Sequence, residues 1–140
     1  MMKILFLCNH NANRSQMAEG WARHLMAAKF EAYSAGVEPT RVDPFAIEAM
    51  KEGGVDISGQ ASKSSDDLGG IEFDYVVTLC SGAAENCPYF PAGTKVAHRG
   101  FDDPPRQAAG ETTAEGKLRH YRRIRDEIRD FVESLPASLG

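Results

Sequence analysis

The sequence predicts a single α/β domain of the flavodoxin-like type, a four-stranded parallel sheet with helices on both faces. Short apolar segments, beginning with residues 3–8, alternate with segments whose apolar residues recur every three or four positions. Strands that alternate with helices form parallel sheets through right-handed crossovers. A length of 140 residues suits one domain, which we expect to span residues 1–140.

The predicted elements follow from apolar spacing and helix-capping signals. Met17, Trp21 and Leu25 recur at four-residue intervals, which predicts a helix. Asp43-Pro44 is a typical helix start. In chain order we expect a strand at 3–8, a helix from Arg14, a strand at 30–34 closed by Ala35-Gly36, a helix from Asp43 to Gly53-Gly54, a short turn at 64–68, strands at 73–79 and 94–98, and a helix at about 113–135.

The last predicted helix is amphipathic. Its apolar stripe is Leu118, Tyr121, Ile124, Ile128, Phe131 and Leu135. Arginines and acids at i, i+4 spacing cover most of the remaining surface, which is typical of a solvated helix face.

Composition excludes several classes of protein. The 16 basic and 20 acidic residues give a net charge of -4, so the domain-wide basic footprint of a nucleic-acid-binding protein is missing. No apolar run approaches the roughly 18 residues of a membrane span. The apolar stretch at 4–8 is shorter than a signal-peptide core. We therefore expect a cytoplasmic protein, in which three cysteines do not indicate a structural disulfide framework. A monomer is expected as well, although composition does not determine the oligomeric state.

The segment from Cys8 to Ser15 predicts a site where a thiolate attacks a tetrahedral oxyanion. Asn9, His10, Asn11, Ala12 and Asn13 separate Cys8 from Arg14. A loop of this length between a strand and a helix can wrap an anion with its N–H groups, with the positive helix end behind it. Arg14 offers a planar fork to two oxygens. The same field, and a hydrogen bond from Ser15, are expected to lower the pKa of the Cys8 thiol.

Two further cysteines, Cys80 and Cys87, follow the third predicted strand. In an intact helix their Cα atoms would lie about 10 Å apart, beyond the roughly 6.8 Å limit for a disulfide. A bond between them therefore requires the segment to unwind, and Gly82 and Pro88 weaken a helix there. Two buried cysteines without a chemical role are the alternative interpretation.

Asp102 and Asp103 follow the fourth predicted strand, at the sheet edge where Cys8 and Cys80 are expected. Either acid can protonate a leaving oxygen; spacing leaves the choice open, and we favour Asp103 beside the proline. His98 ends the same strand, and we do not expect it at the site. No cysteine or histidine pair has the close spacing of zinc ligands, so no metal is predicted.

Together these segments resemble the thioredoxin-coupled arsenate reductases built on the low-molecular-weight tyrosine phosphatase fold. The matching stretches cover nearly the whole chain, and the three cysteines are the most specific part. The matches are residues 8–21, Tyr33-Ser34-Ala35-Gly36, residues 46–50, residues 76–80 with Cys87-Pro88, and residues 100–104.

The resemblance implies a mechanism for these positions. Cys8 would attack arsenate held by Arg14 and the loop amides, and Asp103 would act as general acid. Cys80 would then attack Cys8, releasing arsenite and forming a Cys8–Cys80 disulfide. Cys87 would move that bond to Cys80–Cys87, which thioredoxin would reduce. No bound cofactor is implied, and glutathione or glutaredoxin remains open as the reductant.

The chain departs from the family pattern at a cation site. Some members hold potassium beside the loop with Asn, Glu, Ser and Asp. Asn11, Glu19 and Ser34 match three of these positions, but Lys63 stands where the acid is expected. We expect the Lys63 ammonium to replace the cation, so that the protein needs no potassium.

Two other functions are weighed. A phosphatase acting on phosphotyrosine or small aryl phosphates would use the same loop. It usually carries aromatic residues directly after Asp-Pro, where this chain has Pro105, Arg106 and Gln107, and it does not need Cys80 and Cys87. A non-enzymatic sensor of oxyanions or arsenite would not need the loop with its acid.

Overall fold

The computed structural model describes residues 1–80 and 94–139, with the backbone alone at Cys80. Its main elements are β1 (Met2–Cys8), α1 (Arg14–Leu25), β2 (Phe30–Gly36), α2 (Pro44–Glu52), β3 (Tyr75–Cys80), β4 (Lys95–Phe101), α3 (Pro104–Gln107) and α4 (Ala114–Glu133). The strands form one parallel sheet in the order β2-β1-β3-β4. The predicted fold class is confirmed.

Two cores form on the two faces of this sheet. The larger contains Ile4 and Phe6 of β1 and the buried faces of α1, α2 and α4. The smaller is built around Leu5, Leu7 and Phe73. Because β1 is central and its side chains alternate between the two cores, its sequence is apolar throughout.

The main differences from the predicted elements lie in the second half of the chain. β3 begins at Tyr75 rather than at residue 73, because Phe73 packs into the smaller core before the ladder starts. β4 continues to Phe101, past a register irregularity opposite residues 78–80. Residues 104–107, for which no helix was predicted, form the single helical turn α3 after Asp103. No described helix is long and apolar enough to cross a membrane.

Candidate active site

The loop between β1 and α1 lies at the carboxyl edge of the sheet, where open parallel sheets bind ligands. Asn11, at its centre, has a positive φ of 50° and is fully buried. Gly36, at the end of β2, passes so close that a Cβ atom there would lie 2.8 Å from the Asn11 amide nitrogen. The loop therefore needs a residue at position 11 that tolerates a positive φ, as asparagine does, and a glycine at position 36 that leaves room for its backbone.

Hydrogen bonds from residues 37–43 hold the backbone carbonyls of this loop. The donor and acceptor pairs are Val37 N to Cys8 O, Glu38 N to Asn9 O, Thr40 N to His10 O and Asp43 N to Ala12 O. In contrast, the amide groups of His10, Asn11, Ala12 and Asn13 donate no hydrogen bond to any described residue. Successive amides of this kind form an anion-binding concavity.

The Cys8 thiol lies at the base of the loop and is 4% exposed. Its sulfur is 2.8 Å from Ser15 Oγ, which accepts a hydrogen bond of 2.7 Å from Asn11 Nδ2. When Cys8 is a thiolate, its sulfur can only accept, so the Ser15 hydroxyl donates to the sulfur while its oxygen accepts from Asn11. A donor on the sulfur stabilises the thiolate form.

The orientation of the Asn11 amide is fixed by its other partners. Asn11 Oδ1 accepts from the Lys63 backbone N–H at 2.9 Å and from Gln16 Nε2 at 2.9 Å. With its oxygen held by two donors, the side chain of Asn11 must present its NH₂ group to Ser15. A chain of contacts from residue 63 thus reaches the Cys8 sulfur.

Arg14 is the first residue of α1 and only 6% exposed. Its Nη1 donates to the Phe101 carbonyl at 3.1 Å, and its Nη2 is 3.6 Å from Asp103 Oδ1. Its Nε is buried and has no hydrogen-bond partner among the described residues. A buried donor without a partner beside the loop amides is suited to binding an anion.

The structure separates the two neighbouring acids. Asp103 lines the cleft above Cys8, and its side chain is 37% exposed. Asp102 pairs instead with Arg123 on α4 at 3.2 Å. Only Asp103 of the two is therefore placed to exchange a proton with a group bound in the loop.

The cleft encloses about 330 Å³. It is lined by Cys8, His10, Ala12, Asn13, Arg14, Thr40, Arg41, Asp43, Pro44, Asp103 and Pro105. Sequence reasoning missed Thr40 and Arg41, and identified Asp43 only as a helix cap. These residues follow the carboxyl end of β2. Because ligands bind beyond the carboxyl ends of parallel strands, their position after a predicted strand could have identified them.

Asp43 joins the cleft to α4. One of its oxygens caps α2 by accepting from Phe45 N at 2.9 Å, and the other accepts from the Tyr121 hydroxyl at 2.7 Å. Burial and the Asp43 carboxylate raise the pKa of Tyr121 far above its ordinary value. Tyr121 therefore remains a neutral donor that holds Asp43 in place.

Glu19 is a buried carboxylate behind the loop. It accepts a 2.6 Å hydrogen bond from Ser34, and two cations approach it: Lys63 Nζ at 3.7 Å and Arg23 Nη2 at 3.1 Å. The side-chain charge of Glu19 is thus balanced by protein groups. Among the described residues no cluster of three or more His, Cys, Asp or Glu is arranged to hold a metal ion.

The remaining candidates are placed as follows. Cys80 ends β3, and its backbone lies at the carboxyl edge of the sheet beside β1. Cys87 lies outside the described residues. His98 bonds Thr78 Oγ1 through Nδ1 at 2.7 Å and faces a second cavity beside α4, away from Cys8.

A thiol, five loop residues and a buried arginine on a four-stranded parallel sheet define the class of proteins with a Cys-x5-Arg anion-binding loop. Within this class, the chain belongs to the low molecular weight phosphotyrosine protein phosphatase family, whose model matches residues 3–140.

Relatives with a more specific description are also similar over most of the chain. Arsenate reductase 2 of Staphylococcus epidermidis is 46% identical over 131 residues, covering 94% of this chain and 93% of the relative. The solved structure of an arsenate reductase in the phosphate-binding state is 34% identical, with both chains fully covered and a TM-score of 0.78. A thioredoxin-dependent arsenate reductase of Corynebacterium glutamicum is 27% identical with a TM-score of 0.70; the match covers 99% of this chain and 61% of that one.

Proposed function

We propose that this protein reduces arsenate to arsenite, with Cys8 as the nucleophile and the 8–15 loop as the arsenate site. The observation that carries the proposal is the hydrogen-bond chain from Asn11 through Ser15 to the Cys8 sulfur, next to loop amides that make no other described hydrogen bond. This arrangement favours a thiolate facing an oxyanion. The similarity to named arsenate reductases selects arsenate among tetrahedral oxyanions.

In the first step the Cys8 thiolate attacks arsenic(V) and an S–As bond forms. One arsenate oxygen leaves as water, with Asp103 as the proton donor. Arg14 and the loop amides stabilise the charge on the remaining oxygens.

In the second step the Cys80 sulfur attacks Cys8 Sγ, and the S–As bond breaks with its electron pair left on arsenic. Arsenic(V) is thereby reduced to arsenite, and two thiols are oxidised to the Cys8–Cys80 disulfide. The positions of the two cysteines in the sheet support this pairing. Leu7 pairs with Thr78, so Cys8 and Cys80 end the adjacent strands β1 and β3 at the same edge of the sheet. Adjacent strands lie about 4.8 Å apart, so the two backbones are close at this edge.

In the third step Cys87 attacks Cys80, which releases the Cys8 thiolate and forms Cys80–Cys87. A cytoplasmic thioredoxin dithiol then reduces this bond. The thioredoxin-dependent relative of C. glutamicum supports this choice of reductant.

No potassium ion or other cofactor is needed in this proposal. Lys63 and Arg23 supply positive charge at Glu19, and the Lys63 backbone orients Asn11. Lys63 is thus a supporting residue rather than a catalytic one.

The second candidate is hydrolysis of phosphotyrosine or small aryl phosphates, favoured by the family to which the chain belongs. The cleft argues against phosphotyrosine as the main substrate. None of its described lining residues is Phe, Tyr or Trp, and Pro105 occupies the position after Asp103-Pro104. A platform for an aromatic ring is therefore missing from the described part of the cleft.

The test is NADPH oxidation coupled through thioredoxin and thioredoxin reductase, with and without arsenate. We expect arsenate-dependent oxidation that is lost in Cys8→Ser and Cys87→Ser. The Cys87→Ser variant should retain slow hydrolysis of an aryl phosphate, whereas Cys8→Ser should not. Hydrolysis without arsenate-dependent oxidation by the unmodified protein would favour the phosphatase. Arsenate reduction supported only by glutathione and glutaredoxin would overturn the choice of thioredoxin.

A further inference from the structure

Arg41 lies on a segment that is fixed to the rim of the anion loop. On one side, Thr40 donates its backbone N–H to the His10 carbonyl at 3.1 Å. On the other side, Asp43 donates to the Ala12 carbonyl at 3.0 Å. Because the backbone is bonded to the loop at Thr40 and again at Asp43, three residues further on, Arg41 is held at the cleft that it lines.

The charged groups of the cleft differ in how they are engaged. Arg14 bonds the Phe101 carbonyl and approaches Asp103. Asp43 is held by Phe45 and Tyr121. Arg41, in contrast, is exposed and forms neither a hydrogen bond nor an ion pair with any described residue.

The charges of the cleft indicate that Arg41 attracts an anionic substrate. With Cys8 as a thiolate and Asp103 holding the proton that it donates, the side chains of Cys8 and Asp43 carry two negative charges, and Arg14 and Arg41 carry two positive ones. An incoming oxyanion adds negative charge to this site. Attraction by a cation at the entrance then raises both the encounter rate and the local concentration of the anion.

We propose that Arg41 is a substrate-binding cation at the mouth of the cleft, which recruits the oxyanion and pairs with it as it enters the loop. The proposal rests on the proposed function, because it takes the 8–15 loop as the oxyanion site. It assigns Arg41 to binding rather than to the chemical steps.

The test is the affinity of the full-length protein for inorganic phosphate, measured by titration calorimetry in about 20 mM and about 300 mM NaCl. Arg41→Gln is compared with Lys29→Gln, which removes the same charge from an exposed residue at the opposite edge of the sheet. We expect Arg41→Gln to raise the phosphate Kd by roughly 5- to 10-fold at low salt and by much less at high salt, because salt screens an exposed charge. Lys29→Gln should leave Kd unchanged, and Arg41→Lys should retain most of the affinity.

Turnover provides a second readout. In arsenate reduction, Arg41→Gln should raise KM and leave kcat close to that of the unmodified protein. Equal phosphate affinity in Arg41→Gln and Lys29→Gln, at unchanged thermal stability, would overturn the role of Arg41 and leave the proposed function standing. Failure of the unmodified protein to bind phosphate would overturn both proposals.

Discussion

Replacing Ser15 by alanine tests the central feature of the site. The Ser15 hydroxyl is 2.8 Å from the Cys8 sulfur and donates to it when Cys8 is a thiolate, which can only accept. A hydrogen bond to a charged group contributes about 1.5–3 kcal/mol. A shift of one pKa unit corresponds to about 1.4 kcal/mol. Ser15→Ala should therefore raise the pKa of the Cys8 thiol by about 1 to 2 units.

The assay is the pH dependence of alkylation by iodoacetamide, which reacts with the thiolate. A Cys80→Ser/Cys87→Ser host leaves Cys8 as the reacting thiol, since the chain has three cysteines. Ser138→Ala is the matched control, because it removes a hydroxyl from an exposed position near the C-terminus.

The expected result is an upward shift of the alkylation midpoint in Ser15→Ala and none in Ser138→Ala. Arsenate reduction near neutral pH should fall with the thiolate fraction and recover in part at higher pH. An unchanged midpoint in Ser15→Ala would refute the argument, because it would mean that the hydroxyl does not stabilise the thiolate.

Three further predictions concern the surroundings of the loop. Replacing sodium by potassium at constant ionic strength should leave activity unchanged, because Lys63 lies beside Glu19; a several-fold rise would contradict this. Gly36→Ala should lower activity and destabilise the protein by about 1–3 kcal/mol in urea titration, because its Cβ would collide with the Asn11 backbone; unaltered activity and stability would show that the loop can shift. Tyr121→Phe should cost about 1 kcal/mol or somewhat more by the same measurement, because it leaves one Asp43 oxygen without its donor, and a neutral result would mean that water replaces the hydroxyl.

Much of the architecture could be predicted because its signals are local. The apolar strand at residues 3–8, the helix from Arg14 and the cap at Asp43 each depend on a few neighbouring residues. Strand-helix alternation then determined the parallel sheet. The spacing between Cys8 and Arg14 is a local signal as well, because Cys8 ends β1 and Arg14 begins α1, the next element. It therefore predicted the anion loop.

Other features depended on residues far apart in the chain. Sequence spacing did not separate Asp102 from Asp103; their partners did, Arg123 on α4 and Arg14 on α1. The Asn11 amide is oriented by Lys63, which is 52 positions away.

The sequence by itself thus determined the kind of fold and the chemical identity of the loop, since periodicity, capping and spacing act over a few residues. Only the tertiary structure decided which charged groups share the cleft. Asp43 and Tyr121 are 78 residues apart and meet because α4 packs against α2. Such contacts are set by how the helices pack on the sheet, and no local pattern records them.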